Sequence, residues 1–296
     1  MRTRLSLLAL ATVSLCLVPA HGALADKPSG PQRPASDVGT PRPGDQQVEL
    51  VWKGKKRTFR AHAPRGYTPH QALPLVVAMH PYPSDGAYVR DLSALSAKAD
   101  KEKFLVVYPD GLNGGFNALM CCGNEDDVGF LRKVVKGFKR VWNANPDRVY
   151  ATGISNGGDM SMRLAVELPH TFAAVAPVSS GFIGKALEDD TYRPRTPVSV
   201  VTFLGGTDSY YGQFQAGMTA WHQRLKCRRG PVDTLPDGNT RTRSACPDGS
   251  RTTVYTVPAM GQWPGSPDPY MGDPAAGLHA TDVLWDFFEK HPRARK

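Results

Sequence analysis

The stretch 149–158 reads Val-Tyr-Ala-Thr-Gly-Ile-Ser-Asn-Gly-Gly and contains a G-x-S-x-G motif centred on Ser155. An apolar segment that predicts a buried strand precedes the motif, and a segment with helical spacing, 156–168, follows it. A nucleophilic serine at such a turn needs small neighbours, because its backbone is strained. The motif also occurs by chance around ordinary serines, but the strand before it and Gly158 after it favour a nucleophile elbow.

Segments on either side of this motif alternate between strand and helix patterns. Two short alternating runs, 48–52 and 58–63, predict a hairpin. Apolar runs that predict buried strands lie at 73–80, 104–108, 148–153, 172–178, 197–204 and 252–257. Helical spacing is found at 87–103, 128–144, 156–168, in the segment before Cys227, and at 281–290. This order predicts an α/β fold with a mostly parallel sheet and helices on both faces.

A second residue with a candidate catalytic role is Asp208, in the turn Gly205-Gly206-Thr207-Asp208 after an apolar run. A serine nucleophile needs a base and an acid that orients the base, and in α/β-hydrolases the chain order is serine, acid, histidine. Asp208 occupies the place of the acid. The alternative is an ordinary turn aspartate after two glycines.

The N-terminal segments predict an exported protein. Arg2 and Arg4 precede a short apolar core, and Ala23-Leu24-Ala25 fits a cleavage site, so residues 1–25 are predicted to be a signal peptide. Residues 26–47 carry five prolines and read as a flexible leader, which places the folded domain at 48–296. We expect a freely secreted, extracellular protein.

Composition and residue spacing argue against nucleic acid, a membrane span and a metal ion as partners of the chain. The formal net charge is +9, and +7 without Arg2 and Arg4, but no basic block interleaved with aromatic residues suggests nucleic-acid binding. No apolar run beyond the N-terminus is long enough to predict a membrane span. The cysteines lack metal-ligand spacing, so no metal site is predicted. The four beyond the signal allow three pairings, of which Cys227–Cys246 with Cys121–Cys122 is favoured because the first closes a short loop.

The chain resembles the secreted esterase family that contains poly(3-hydroxybutyrate) depolymerases and feruloyl esterases. The resemblance spans about residues 48 to 291. It rests on the segments 75–80 (LVVAMH), 107–111 (VYPDG), 121–123 (CCG), 126–130 (DDVGF), 148–158 (RVYATGISNGG), 172–178 (FAAVAPV), 263–265 (WPG) and 285–288 (WDFF). It implies an α/β-hydrolase fold and hydrolysis of an ester, either small or polymeric, without a cofactor.

Two functional positions depart from the family pattern. The family histidine lies in a G-H-x-W-P-G segment, whereas residues 259–265 read Ala-Met-Gly-Gln-Trp-Pro-Gly, so Gly261 replaces the histidine or a deletion precedes Gln262. His279, between the last strand and the last helix, is then the candidate for a relocated base. The alternative is a solvated residue just ahead of a helix.

The second departure is at the oxyanion loop, where Pro81 follows His80 and proline has no N–H to donate. The N–H groups of Tyr82 and Asn156 are the remaining oxyanion candidates. The alternative to an active esterase is a catalytically impaired relative that acts as a binding protein.

Aromatic residues on the loops of the predicted carboxyl edge are candidates for the substrate pocket. We expect Phe116, Tyr210 and Trp263 to contact an acyl or aryl group there, although loop packing explains them equally well. Asp159, one turn into the helix after Ser155, stands where the family usually has an apolar residue.

Overall fold

The computed structural model describes residues 37–258 and 262–294, and these residues are arranged around one large sheet. Its ten strands are β1 (Gly44–Trp52), β2 (Lys55–Ala63), β3 (Leu75–Met79), β4 (Leu105–Pro109), β5 (Val149–Ile154), β6 (Ala174–Val178), β7 (Ser199–Gly205), β8 (Arg228–Thr234), β9 (Thr240–Ala245) and β10 (Arg251–Val257). Their order across the sheet is β1-β2-β4-β3-β5-β6-β7-β10-β9-β8. The six central strands, β4, β3, β5, β6, β7 and β10, pair in parallel. An antiparallel pair extends the sheet at each edge, β1 with β2 at one and β8 with β9 at the other. The predicted α/β fold with a mostly parallel sheet is confirmed.

Helices cover both faces of this sheet. They are α1 (Gly86–Ser93), α2 (Leu95–Glu102), α3 (Asp127–Val141), α4 (Asn156–Glu167), α5 (Lys185–Glu188), α6 (Tyr211–Arg224) and α7 (Ala280–Lys290). Alternate residues of the central strands join separate apolar clusters, because successive side chains of a strand point to opposite faces. Helices α3, α4 and α6 contribute to one cluster, whereas α1, α2 and α7 contribute to the other. A short strand pair, β11 (Trp263–Pro264) with β12 (Gly272–Asp273), precedes α7.

The structure differs from the sequence prediction at the beginning of the domain. The domain was predicted to begin at residue 48, but β1 begins at Gly44 and Val38 is already buried. The indole Nε1 of Trp142 donates to the carbonyl oxygen of Val38 at 2.9 Å, which fixes this segment against α3. Residues 37–47 are therefore part of the folded unit. The predicted signal peptide, 1–25, lies outside the described residues.

Two further elements differ from the prediction. The single helix expected at 87–103 is two helices, because Ala94 adopts a left-handed conformation between α1 and α2. Strands β8 and β9 were not predicted at all; they form an antiparallel hairpin beside β10.

Disulfides join Cys227 to Cys246 and Cys121 to Cys122, which is the pairing that the sequence favours. Within 37–258 and 262–294, no helix combines the length and apolar character that crossing a bilayer requires.

Candidate active site

Ser155 occupies the turn between β5 and α4, with φ 51° and ψ −123°. Such a conformation is strained for a residue with a side chain and persists only where the surroundings enforce it. An added Cβ at Gly153 would lie 2.5 Å from the carbonyl carbon of Gly157, and one at Gly157 would overlap the carbonyl oxygen of Met79. The glycines of the motif therefore allow the turn to pack against the end of β3, as a nucleophile elbow requires.

Ser155 opens into a cavity of about 330 Å³ at the carboxyl edge of the sheet. Asp208, Ser179 and Tyr210 line the same cavity. Its remaining walls are Met120, Ile154, Asp159, Ile183, Thr207, Ser209, Phe214 and Met271. The carboxyl ends of adjacent parallel strands supply Ser155, Ser179 and Asp208, after β5, β6 and β7, so the topology itself brings these side chains together.

Both carboxylate oxygens of Asp208 accept hydrogen bonds. Ser179 Oγ donates to Oδ2 at 2.9 Å, and the backbone N–H of Tyr210 donates to Oδ1 at 2.9 Å. These bonds fix the carboxylate at the cavity wall. Sequence reasoning did not identify Ser179, although its place directly after a buried strand is a signal that could have found it.

None of the described histidines makes a hydrogen bond with Ser155 or Asp208. His279 is exposed at the start of α7 and is not among the residues that line the cavity. Its imidazole lies against Gly265, where an added Cβ would come within 2.6 Å of Cγ. The structure thus places His279 beside the segment that contains Trp263 and Met271, but does not bring its ring onto the serine.

His80 follows β3, the neighbour of the strand that leads to Ser155, but its hydrogen bonds indicate a structural role. Its Nδ1 lies 2.7 Å from the carbonyl oxygen of Pro81, and its Nε2 accepts the N–H of Gly111 at 2.9 Å. These partners require the neutral form with a proton on Nδ1. Burial lowers the pKa of His80, which favours the same neutral form.

The side chain of Asn156 holds a loop against the elbow. Its Oδ1 accepts the N–H of Phe116 at 2.8 Å, and its Nδ2 donates to the carbonyl oxygens of Phe116 at 3.0 Å and Cys121 at 3.1 Å. The backbone N–H of Asn156 begins α4 and so lacks an acceptor within the helix. Tyr82 is 49% exposed and does not line the cavity.

Two of the three predicted pocket aromatics belong to the core. Phe116 is fully buried with its ring 4.6 Å from that of His80. Trp263 is buried as well, and its Nε1 donates to Thr281 Oγ1 at 3.1 Å. Neither ring lines the cavity of Ser155, because loop packing turns both inward. Tyr210 does line the cavity.

The carboxyl group of Asp159 is buried, and burial is the main influence on its pKa. It is 3% exposed, and Oδ1 accepts the N–H of Gly181 at 3.1 Å. Burial raises the pKa of Asp159 to about 7, and the bond from Gly181 offsets only part of that rise. Since Asp159 also lines the cavity of Ser155, a titratable group with a pKa near neutrality borders the candidate site.

No group of three or more histidine, cysteine, aspartate or glutamate side chains in the described part of the chain could hold a metal ion.

Comparison with known proteins identifies esterases as relatives. No family model matches the chain. It is 29% identical to the putative esterase NocK of Nocardia uniformis subsp. tsuyamanensis, over 86% of this chain and 84% of that protein. It is 24% identical to feruloyl esterase B of Piromyces equi over 68% of this chain, and the match spans only 42% of that longer protein.

Solved structures share the fold at low sequence identity. The poly(3-hydroxybutyrate) depolymerase LpqC of Bordetella parapertussis superposes with a TM-score of 0.56 at 18% identity, over 86% of this chain and 92% of that one. Acetyl xylan esterase from Aspergillus awamori gives a TM-score of 0.56 at 14% identity, over 71% of this chain and 92% of that one. The chain therefore has the α/β-hydrolase fold and is similar in sequence to proteins named as esterases.

Proposed function

We propose that the protein is a secreted, serine-dependent carboxylic ester hydrolase in which Ser155 is the nucleophile. The observation that carries this proposal is the strained backbone of Ser155, which opens into a cavity shared with Asp208. An ordinary serine in a turn has no need of a positive φ angle enforced by two glycines. The relatives support ester hydrolysis as the reaction class.

The proposed reaction has two steps. Ser155 Oγ attacks the ester carbonyl while a base takes its proton. The base then returns that proton to the departing alkoxide, which leaves as an alcohol, and an acyl-enzyme remains. Water then attacks the acyl group and releases the acid, which restores the Ser155 hydroxyl. The N–H of Asn156 supports the oxyanion in both steps, with that of Tyr82 as the second candidate donor.

His279 is the proposed base, and Asp208 the proposed acid that orients it. Two observations support His279: its exposed ring makes no hydrogen bond to a described residue, and the segment that precedes it supplies Met271 to the cavity wall. The order Ser155, Asp208, His279 along the chain is that of an α/β-hydrolase. For His279 to act, its ring must leave Gly265 and reach the cavity in the complex with substrate.

The cavity favours a small acyl or aryl group. Its volume of about 330 Å³ is near the lower end of the range for ligand sites. The wall combines Tyr210, Phe214 and Met271 with the hydroxyls of the site. A polymeric ester would place one acyl unit in the cavity and leave the rest of the chain outside.

The first test is an assay of the full chain with p-nitrophenyl acetate, p-nitrophenyl butyrate and methyl ferulate. We expect hydrolysis of at least one of them and stoichiometric inactivation by a fluorophosphonate. Mass spectrometry of the inactivated protein should find the label on Ser155. A label on another serine, or no label with intact folding, would contradict the proposal.

Replacing His279 by alanine is expected to lower kcat by about 10²–10⁴-fold, because that is the usual contribution of a positioned base. The matched control is His70→Ala, which removes another exposed histidine. Unchanged activity in His279→Ala would exclude His279 as the base.

The variant Gly261→His tests the family position of the base independently. Strand β10 ends beside the turn that contains Asp208, because the N–H of Gly206 donates to the carbonyl oxygen of Val257 at 2.8 Å. The family resemblance puts the catalytic histidine at this position of the sequence, and the variant restores a histidine there. If His279 is the base, Gly261→His should give little increase in kcat. A large increase, together with unchanged activity in His279→Ala, would assign the base position to residue 261.

Secretion is proposed from the predicted signal at 1–25. The two disulfides are compatible with an oxidising compartment. Mass spectrometry of protein collected from the culture medium should give a chain that begins at Asp26.

A further inference from the structure

A large groove in the described residues lies away from Ser155 and is lined by arginines. It has a volume of about 910 Å³ and shares no lining residue with the cavity of Ser155. Its cationic side chains are Arg228, Arg229, Arg241, Arg243, Arg251 and Lys290. The five arginines lie within the 24 residues from 228 to 251, and Lys290 joins them from α7.

The strand register explains why the arginines meet. Arg228 of β8 and Arg251 of β10 both lie opposite Ala245 of β9. Since alternate residues of a strand share a face, Arg241 and Arg243 project to the same side as Ala245. Helix α7 closes the groove on that side with Lys290 near its end.

Most of this positive charge has no partner. Two carboxylates accompany the six cations: Asp286 in the wall, and Asp233, which pairs with Arg241 at 3.1 Å and Arg243 at 2.9 Å. Arg228, Arg229, Arg251 and Lys290 form no ion pair within 37–258 and 262–294. Like charges held together in this way create a positive potential that attracts anions.

The contacts of Asp233 show which anion suits this face. Its Oδ2 accepts from both Arg241 and Arg243, so two guanidinium groups of adjacent positions on one strand face already converge on a carboxylate. Guanidinium forks match the geometry of carboxylate oxygens. The unpaired Arg228, Arg251 and Lys290 continue this pattern along the groove.

We propose that this groove binds a linear polysaccharide whose sugar units carry carboxylates, as in a polyuronate. The occupant would place successive carboxylates against Arg228, Arg251 and Lys290, with the chain running across β8, β9 and β10 towards the end of α7. The site is separate from the cavity of Ser155 and does not depend on the esterase activity.

The test measures binding of polygalacturonate to the full chain by isothermal titration calorimetry at low and moderate salt. Neutral dextran is the uncharged comparison, and polyphosphate is the comparison for another polyanion. The groove variant carries Arg228→Gln, Arg251→Gln and Lys290→Gln. The matched control carries Arg132→Gln, Lys136→Gln and Arg140→Gln on the exposed side of α3, which removes the same charge elsewhere.

We expect polygalacturonate to bind with an affinity that falls as salt is added, and dextran not to bind. The groove variant should lose about tenfold or more in affinity, because three exposed ion pairs are removed, while the control stays within about twofold of the wild type. Hydrolysis of p-nitrophenyl esters should be unchanged in both. Equal losses in both variants, absence of polygalacturonate binding, or binding of polyphosphate alone would overturn the proposal.

Discussion

Replacing Ser155 by alanine is expected to lower kcat for p-nitrophenyl acetate by about 10⁴–10⁶-fold, which is the loss seen when a triad enzyme loses its nucleophile. The physical reason is that no acyl-enzyme can form without the hydroxyl, so only oxyanion binding and positioning remain. The substitution keeps a small side chain in the strained turn, so the fold should be retained. The measurement is kcat/KM beside the unfolding temperature of the same preparation.

The control for this loss is Ser209→Ala. Ser209 lines the same cavity, is exposed and follows Asp208 directly, so it reports any general effect of removing a hydroxyl there. Its kcat should remain within a few-fold of the wild type. Retention of most activity in Ser155→Ala would show that the elbow serine is not the nucleophile.

Replacing Asp159 by asparagine is expected to remove a large pH dependence of stability. In the folded protein the pKa of Asp159 is about 7, against 3.8 for the exposed side chain. Between these values the folded state keeps a proton that the unfolded state releases, so the free energy of unfolding falls as pH rises from about 4 to 7. The loss amounts to about 4 kcal/mol and persists at higher pH, because the charged carboxylate remains buried.

Urea unfolding at pH 4.5 and pH 8 measures this effect. The stability difference between the two pH values should be smaller by several kcal/mol in Asp159→Asn than in the wild type. Asp286→Asn is the control, since its carboxyl is exposed and makes no hydrogen bond to a described residue. A wild-type and an Asp159→Asn protein with the same pH profile would show that this carboxyl is not held in a desolvated position.

The parts of the fold that the sequence predicted are those in which local pattern and burial agree. The central strands are apolar on both faces, and the turn at Ser155 is marked by glycines that no other residue could replace. Local capping also fixes the start of α3, where the side chain of Asp126 accepts the N–H of Gly129 at 3.0 Å. Ser155 and Asp208 could therefore be assigned to one edge of the sheet before any coordinates.

The parts that were missed depend on contacts between distant residues. Strands β8 and β9 are polar and arginine-rich, so neither shows the apolar alternation that predicts a strand. They are defined only by the pairing of β8 with β9 and of β9 with β10. Phe116 and Trp263 look like pocket residues because they lie on long loops, but only the folded loop shows which rings turn inward. The position of His279 relative to Ser155 depends on the path of a whole loop, which no local pattern encodes.

The hydrogen bonds of Asn156 have a consequence for redesign of the protein. One amide spans the loop from Phe116 to Cys121 by binding the backbone at both points. Insertions or deletions between these two residues would break these bonds or displace the start of the helix at Asn156. Changes outside this segment would leave the bonds in place. Designed exchanges of this loop with those of other esterases should therefore preserve the spacing from 116 to 121 and vary the flanks.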